Sequence, residues 1–508
     1  MIADAAPVRP LLLGDIGRNA GYHVGDDAML AGLLQAARRQ GVPLAATLLA
    51  ADPGTAAVRF GLPATPLFGF AELPDGQARR ERLAAVTERP EQQAAGQLAA
   101  VRNCDVLIVT GGGNLSQSWP ALVYERLAAA RLAGRCGVPV LLTGQSIGPS
   151  FGAEVGPLVR ELLARARLVA VRERVSHWLA GELGVPGDRL VLAPDDAAGL
   201  PAEPPPSAPV LAGTEFIAVT VNDLGADLAG LAEQLRHLAG RTGARLVLVP
   251  HVGDLAGEPV EDVAVARRLA GLTGGLAVNL PTPTEAVWYC RHAAVVVSSR
   301  YHPIVFAAAN QVPALFLSQD GYTAMKGIGA LQLAGLDGWR LPASAAAGGA
   351  LLPLGLELWQ RRAEVRTHLR EAAPGDGFLA ALLGQLATIA GGGAAQLPDL
   401  AASPAVDGPR PVGVPAGHPF TSGEVIELEL AGAATALSDA RDRAGRAEAY
   451  AAGLLERAES AERYAASLEG AVRRAEEYAR SVELRAERAE QYATSLRQAL
   501  GDLAQNGG

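Results

Sequence analysis

The run Ser298-Ser299-Arg300-Tyr301-His302-Pro303 stands between an apolar stretch, Val295-Val296-Val297, and a helical pattern over residues 304–310. A guanidinium grips a carboxylate or phosphate with two parallel hydrogen bonds. An imidazole carries a proton near neutral pH. A strand-to-helix turn here therefore offers anion binding and proton transfer two residues apart. Lys326 follows soon after, the one lysine among 44 basic residues. Arginine is a planar fork of donors, whereas lysine is a compact, mobile point charge. In a chain so biased toward arginine, a retained lysine marks either a place where a fork does not fit or a solvated loop residue.

Four other segments place chemistry-bearing residues at strand ends. Asn19-Ala20-Gly21-Tyr22-His23-Val24-Gly25-Asp26-Asp27 opens a helix. Its glycines admit a ligand close to backbone, and helix-start amides favour anions. Asp26 either caps that helix or accepts protons from hydroxyls. Thr110-Gly111-Gly112-Gly113-Asn114 and Thr143-Gly144-Gln145-Ser146-Ile147-Gly148-Pro149 both follow apolar runs, as tight turns or as ligand-approach loops. Arg172 lies just past another apolar run and can point into a cleft, while Arg174 is expected on a helix surface. None of these is the G-x-G-x-x-G dinucleotide fingerprint.

The elements that must hold these residues alternate. Strands are expected at residues 11–15, 106–110, 138–143, 168–171, 216–221, 246–250, 293–298 and 314–317. Helical patterns fall between them, over 26–39 and 228–240 and from about Val175. Strand–helix alternation implies parallel, doubly wound α/β sheets, whose ligands bind beyond the carboxyl ends of the strands. Residues 8–200 are expected to form one such domain and 214–390 a second with closing helices. The Pro-rich segment 201–213 would join them, leaving a cleft between. A Gly/Pro/Ala linker is expected over 391–422, then a coiled coil over 423–503. The last rests on Tyr450, Tyr464, Tyr478 and Tyr492, spaced by 14 residues, with Leu454, Leu468, Val482 and Leu496 four residues after each. Fourteen residues are two heptads, so the repeat suits a seam that makes homo-oligomers.

Apolar residues are 49% of the 508 but aromatics only 5%, so Ala, Leu and Val must pack the cores. A net charge of -9 gives no nucleic-acid footprint. Three scattered cysteines suggest neither a disulfide framework nor a zinc site. Without a signal-peptide pattern or a long apolar run, a cytoplasmic protein with no membrane span is expected.

Taken in order, Gly25-Asp26-Asp27, the block from Asp105 to Gly113, Gly144-Gln145-Ser146-Ile147-Gly148-Pro149, Val171-Arg172-Glu173, Asp195, Ser299-Arg300-Tyr301-His302 and Lys326 resemble the polysaccharide pyruvyl transferase family over residues 11–327. Tyr301 stands where the family often has leucine, and Asp196 where proline is common. The resemblance implies two Rossmann-like domains similar to GT-B glycosyltransferases. It implies transfer of a pyruvyl group from phosphoenolpyruvate to two hydroxyls of a sugar, in a cell-surface polysaccharide or a precursor that is lipid-linked or not, forming a ketal without cofactor or metal. Arg172, Ser299, Arg300 and Lys326 would then bind the donor on the second domain. Asn19, Gly25, Asp26, Gly112, Gly113, Gln145 and Ser146 would bind the acceptor on the first. His302 would be the general acid, Arg300 would clamp the reacting donor, and Asp26 would orient or deprotonate the hydroxyl. Two other readings stay open: a nucleotide-sugar glycosyltransferase on the same scaffold, and a non-catalytic scaffold assembled by the tail.

Overall fold

The computed structural model describes residues 6–18, 21–149, 151–222, 228–255, 261–336, 338–372, 377–393 and 397–400, and in the tail 480, 487–488, 490–491 and 495. Residues 1–433 form one compact unit and 434–508 another. The described residues of the second unit are all helical. The 14-residue repeat and the 401–422 part of the expected linker otherwise lie outside the described residues.

The first unit holds two sheets. One runs β4 (Ala64–Pro66), β3 (Thr47–Ala50), β1 (Pro10–Leu13), β5 (Val106–Val109), β7 (Val140–Ile147), β8 (Leu168–Val171) and β9 (Leu190–Leu192), with β6 (Gly112–Leu115) paired to β7. The other runs β13 (Leu276–Ala277), β11 (Arg245–Leu248), β10 (Phe216–Thr220), β14 (Val295–Ser298), β15 (Ala314–Ser318) and β16 (Arg340–Pro342). Every pairing within these sheets is parallel. The central strands are buried on both faces, which is why they read as unbroken runs such as Val-Leu-Ile-Val at 106–109.

Two short strands join the halves: β2 (Tyr22–His23) pairs antiparallel with β12 (Val252–Gly253), His23 opposite Val252. The helix Val24–Gln40 is shared. Val24, Ala28 and Met29 enter the core of the second sheet, while Leu30, Leu33, Ala36 and Ala37 enter the core of the first.

The helices Gly377–Gly384 and Leu386–Ala390 also cross over. Phe378, Leu382, Leu383, Leu386 and Ile389 pack with the first-half core. The expectation that residues up to 390 belong wholly to the second half is corrected here. The apolar face of these helices matches the back of the first sheet, and each such side chain contributes roughly 1.5–3 kcal/mol on burial. Both crossings tie the halves together and so fix the cleft between the strand ends.

Candidate active site

A cavity of about 510 Å³ lies between the carboxyl ends of the two sheets. The first half contributes Asp15, Arg18, His23, Asp26, Gly113, Asn114, Trp119 and Arg172. The second contributes Asn222, His251, Ser299, Arg300, Tyr301, His302, Tyr322 and Lys326. Of the residues expected at the site, Asp26, Gly113, Arg172, Ser299, Arg300, His302 and Lys326 line this one space.

Arg300 is the N-cap of the helix Tyr301–Ala309, held there by Ser298, whose Oγ accepts from the Arg300 amide at 2.9 Å. Its guanidinium donates to Asp262 from Nε (3.1 Å) and Nη2 (2.6 Å). Asp262 is buried and also accepts from the amides of His251 and Val252. The pair sets the edge that Arg300 turns toward the cavity. Ser299 donates to Asn222 Oδ1 at 2.5 Å and accepts from the Asn222 amide at 3.1 Å, which ties two strand ends.

Arg172 is fully buried and committed elsewhere. Its Nη1 meets Asp195 at 2.5 Å, its Nε meets Ser146 Oγ at 2.9 Å, and it stacks 4.2 Å from the Tyr301 ring centroid. Tyr301 thus supplies an aromatic face to a buried guanidinium. Both Arg172 and Arg300 meet a carboxylate, but the Arg172 side chain is 2% exposed and that of Arg300 26%, so Arg300 presents more of its guanidinium to the cavity.

His302 lies against both halves. Its Nε2 is 3.7 Å from Asp195 Oδ2. A Cβ added to Gly25 would fall 1.9 Å from its Nδ1, so Gly25 must be glycine for the imidazole to sit on the helix Val24–Gln40. Burial, helped by Arg172 and the neighbouring His23 and His251, holds His302 well below its ordinary pKa. It is therefore neutral in the ligand-free protein, contrary to a standing general acid. His23 is likewise pushed down to about 4 and His251 to about 3, by burial first in each case.

Lys326 lies on the helix Gly321–Leu333, not in a loop. The N-cap Asp320, whose side chain accepts from the Thr323 amide, starts that helix directly beyond β15. No carboxylate of the described residues pairs with the Lys326 ammonium, which lies 3.9 Å from the Tyr322 ring centroid. Tyr322 donates its hydroxyl proton to the Gly113 carbonyl across the cleft. A Cβ on Gly113 would fall 2.4 Å from the Tyr322 hydroxyl and 3.1 Å from Lys326 Nζ. Burial and the field of Arg172 lower Lys326 to about 7. Opposite charge does not reverse this, because Glu173 and Asp26 act only through the surrounding medium. Asp26 is raised to about 7 by burial and then by Asp15. An acid and an amine that both titrate near neutrality thus line one cavity.

Other expected residues lie behind the wall. Gln145 gives its amide to the carbonyls of Thr110 and Thr143, both at 2.8 Å. Ser146 donates to Glu173 at 2.6 Å. Both are fully buried and outside the cavity lining, so they brace the Gly-rich strand ends rather than meet an acceptor. Gly112 backs onto Asn114 and the buried Arg126. Asp196 is buried, holds Thr143 Oγ1 at 2.6 Å, and is raised to about 7 by burial. Asn19 lies outside the described residues. Among the described residues no group of three or more His, Cys, Asp or Glu is arranged to hold a metal ion.

Sequence reasoning passed over Asp15, Trp119, His251, Asn222, Asp262 and Tyr322, and named Asn114 only as the end of a Gly-rich turn. Asp15, Asn222 and His251 each follow the carboxyl end of a parallel strand, a signal the sequence does carry. Asp262 starts a helix far from any motif and is found only through its partner Arg300.

The family model for polysaccharide pyruvyl transferases matches residues 23–321, more than half of the chain. The chain belongs to the polysaccharide pyruvyl transferase family. That is a family of transferases, and the matched span covers every cavity residue named above except Asp15, Arg18 and the start-of-helix residues Tyr322 and Lys326. No curated relative matches the chain.

Among solved structures the chain is similar to a Listeria monocytogenes protein described as a UDP-N-acetylglucosamine 2-epimerase (TM-score 0.53, 14% identity, 81% of this chain and 100% of that one). It is also similar to S. aureus MnaA in complex with UDP (0.51, 13%, 77% and 99%). A third is the Neisseria meningitidis UDP-GlcNAc 2-epimerase (0.51, 10%, 75% and 100%). At these identities the likeness concerns the fold, a GT-B-like pair of parallel α/β halves. No helix of the described residues is long and apolar enough to cross a membrane.

Proposed function

We propose that this pyruvyl transferase family member moves a pyruvyl group from phosphoenolpyruvate to two hydroxyls of a sugar in a cell-surface polysaccharide or its precursor, forming a ketal. The observation that carries the reading is the division of the cavity. The first-half wall presents Asp15, Asp26, Asn114 and Trp119, groups suited to hydroxyls and a sugar ring. The second-half wall presents Arg300 and Lys326, the latter without a carboxylate partner among the described residues. Those cations suit a donor carrying both carboxylate and phosphate.

In this reading Arg300, braced by Asp262, takes the donor carboxylate, and Lys326 takes the phosphate. The donor's negative charge raises the pKa of the imidazole it touches, while Asp26 stands on the opposite wall. His302 then gains its proton with the donor in place, the imidazolium facing Asp195. It delivers that proton to the methylene carbon, which becomes the methyl group. The first sugar hydroxyl attacks the resulting oxocarbenium-like carbon while ionised Asp26 removes its proton. The phosphate leaves with its bridging oxygen, and the second hydroxyl closes the ketal. Of the two hydroxyl protons, one balances the proton added to carbon and the other ends on phosphate.

The test is phosphate release from phosphoenolpyruvate over a panel of sugar acceptors, with nucleotide diphosphate sugars as the competing donors. Release that requires an acceptor, and that drops at least about a hundred-fold in His302→Gln and Arg300→Lys, supports the reading. Native rates in both variants, or turnover of nucleotide sugars alone, would sink it. Assembly through residues 423–503 is proposed from the repeat, and light scattering after their deletion checks it.

A further inference from the structure

We propose that Trp119 and Asn114 form the subsite for the acceptor sugar, Trp119 as the stacking platform for a pyranose ring and Asn114 as a hydrogen-bond donor to one of its hydroxyls. The inference rests on the pyruvyl-transfer reading and names the residues that would set its acceptor specificity.

Trp119 leaves 46% of its surface to solvent although it lines the cavity. An indole standing half in water is poorly placed for packing and well placed for a ligand. Its position is fixed by backbone rather than by side-chain contacts. The Trp119 amide donates to the Ser116 carbonyl at 3.2 Å, and its carbonyl accepts from Leu122 at 3.1 Å as the helix Pro120–Arg135 begins. Trp119 shares the cavity wall with Tyr322, which donates to the Gly113 carbonyl. The platform is thus held before any ligand arrives.

Asn114 supplies the second, independent observation. It is 8% exposed, lines the same cavity, and its Nδ2 is buried with no hydrogen-bond partner. A buried amide donor is rarely left unsatisfied; this one lies beside Gly112 just under the cavity wall, where a turn of the Asn114 side chain brings it to an acceptor on the ligand. Asp15, held in place by Arg18 at 2.7 Å, stands on the same wall and can accept from a hydroxyl. A flat aromatic face, one amide donor and one carboxylate match a pyranose. Its axial C–H groups form an apolar face, and its hydroxyls ring the edge. The two arginines lining this half, Arg18 and Arg172, are both paired with carboxylates. This wall is thus less suited to the anionic donor than the wall with Lys326.

The test uses the full-length protein, phosphoenolpyruvate, and the p-nitrophenyl β-glycosides of galactose, glucose, mannose and N-acetylmannosamine. Donor affinity is read by calorimetry and transfer by phosphate release. Trp119→Ala is expected to raise the acceptor KM about ten-fold or more and to leave donor affinity within about two-fold, with Trp119→Phe restoring most of the loss. Asn114→Ala is expected to lower kcat/KM for the acceptor about five- to ten-fold. An unchanged acceptor KM in Trp119→Ala, with donor binding intact, overturns the platform and leaves pyruvyl transfer standing. Wild-type protein that binds the donor but transfers to none of the four overturns the pyranose platform. Failure to bind the donor at all removes the underlying reading.

Discussion

Lys326 offers the most direct test of the electrostatics. With a pKa of about 7, it is about one-tenth protonated at roughly pH 8 by simple titration. A donor anion about 4 Å away at an effective dielectric of about 20 is worth about 4 kcal/mol. At about 1.4 kcal/mol per pKa unit that lifts the ammonium to about 10. Donor binding at about pH 8 should therefore draw roughly 0.9 proton onto Lys326, and at about pH 6, where the amine is already charged, only about 0.1. Lys326→Arg removes this uptake, because a guanidinium is charged at both pH values. The assay is calorimetric titration of phosphoenolpyruvate in two buffers of different ionisation enthalpy at each pH. Their difference in apparent enthalpy gives the protons taken up. His302 and Asp26 contribute to the total, so the quantity of interest is wild type minus Lys326→Arg. A difference near 0.9 proton at the higher pH that collapses at the lower one is expected. Equal uptake in the two proteins at about pH 8 refutes both the neutral lysine and its contact with the donor.

Gly25→Ala places a methyl group where the His302 ring sits, 1.9 Å from Nδ1. The helix gains propensity, yet turnover should fall about a hundred-fold from displacement of the imidazole, with circular dichroism unchanged. Gly113→Ala should prise Tyr322 and Lys326 off the opposite half and raise the donor Kd, measured by calorimetry, about ten-fold or more, since contacts at 2.4 and 3.1 Å cannot persist. Asp195→Asn strands the buried Arg172 and should cost about 3–5 kcal/mol in denaturant unfolding. A cost below about 1 kcal/mol would mean that Glu173, 3.3 Å from Arg172 Nε, carries the pair instead.

The strands legible in the sequence are those buried on both faces. Leu11 to Leu13, Val106 to Val109, Leu168 to Val171 and Ala314 to Leu317 are near-continuous apolar runs, and each became an interior strand with a neighbour on both sides. Most strands passed over are short: β4, β9, β13 and β16 have two or three residues each, while β3 is an interior strand of four. A two- or three-residue strand has no period to read. The site was legible wherever a polar residue followed such a run, as with Arg172, Ser299 and Arg300. What the sequence could not convey is commitment. Arg172 and Arg300 look alike at their strand ends, but Asp195 and Asp262, from other segments, decide what each guanidinium has left to offer. Gln145 and Ser146 looked like cavity residues for the same reason. Their positions just past a strand are right, but β7 runs on through Ile147 and carries them beneath the wall.

Commitment also explains the lone lysine. Arg172, Arg300 and Arg18 each meet a carboxylate at 2.5–2.7 Å, and a planar fork is the right cation for such fixed partners. Position 326 has no such carboxylate among the described residues. It has an aromatic ring at 3.9 Å and a glycine backbone close by instead. A guanidinium there would bring more donors than the walls can satisfy and more bulk than the gap beside Gly113 admits. It would also stay charged, and so bear the full penalty of burial whenever the cavity is empty. An amine escapes that penalty by losing its proton and regains the charge when an anion arrives. The residue type at 326 therefore follows from a requirement no arginine meets, a cation that exists only while its partner is present.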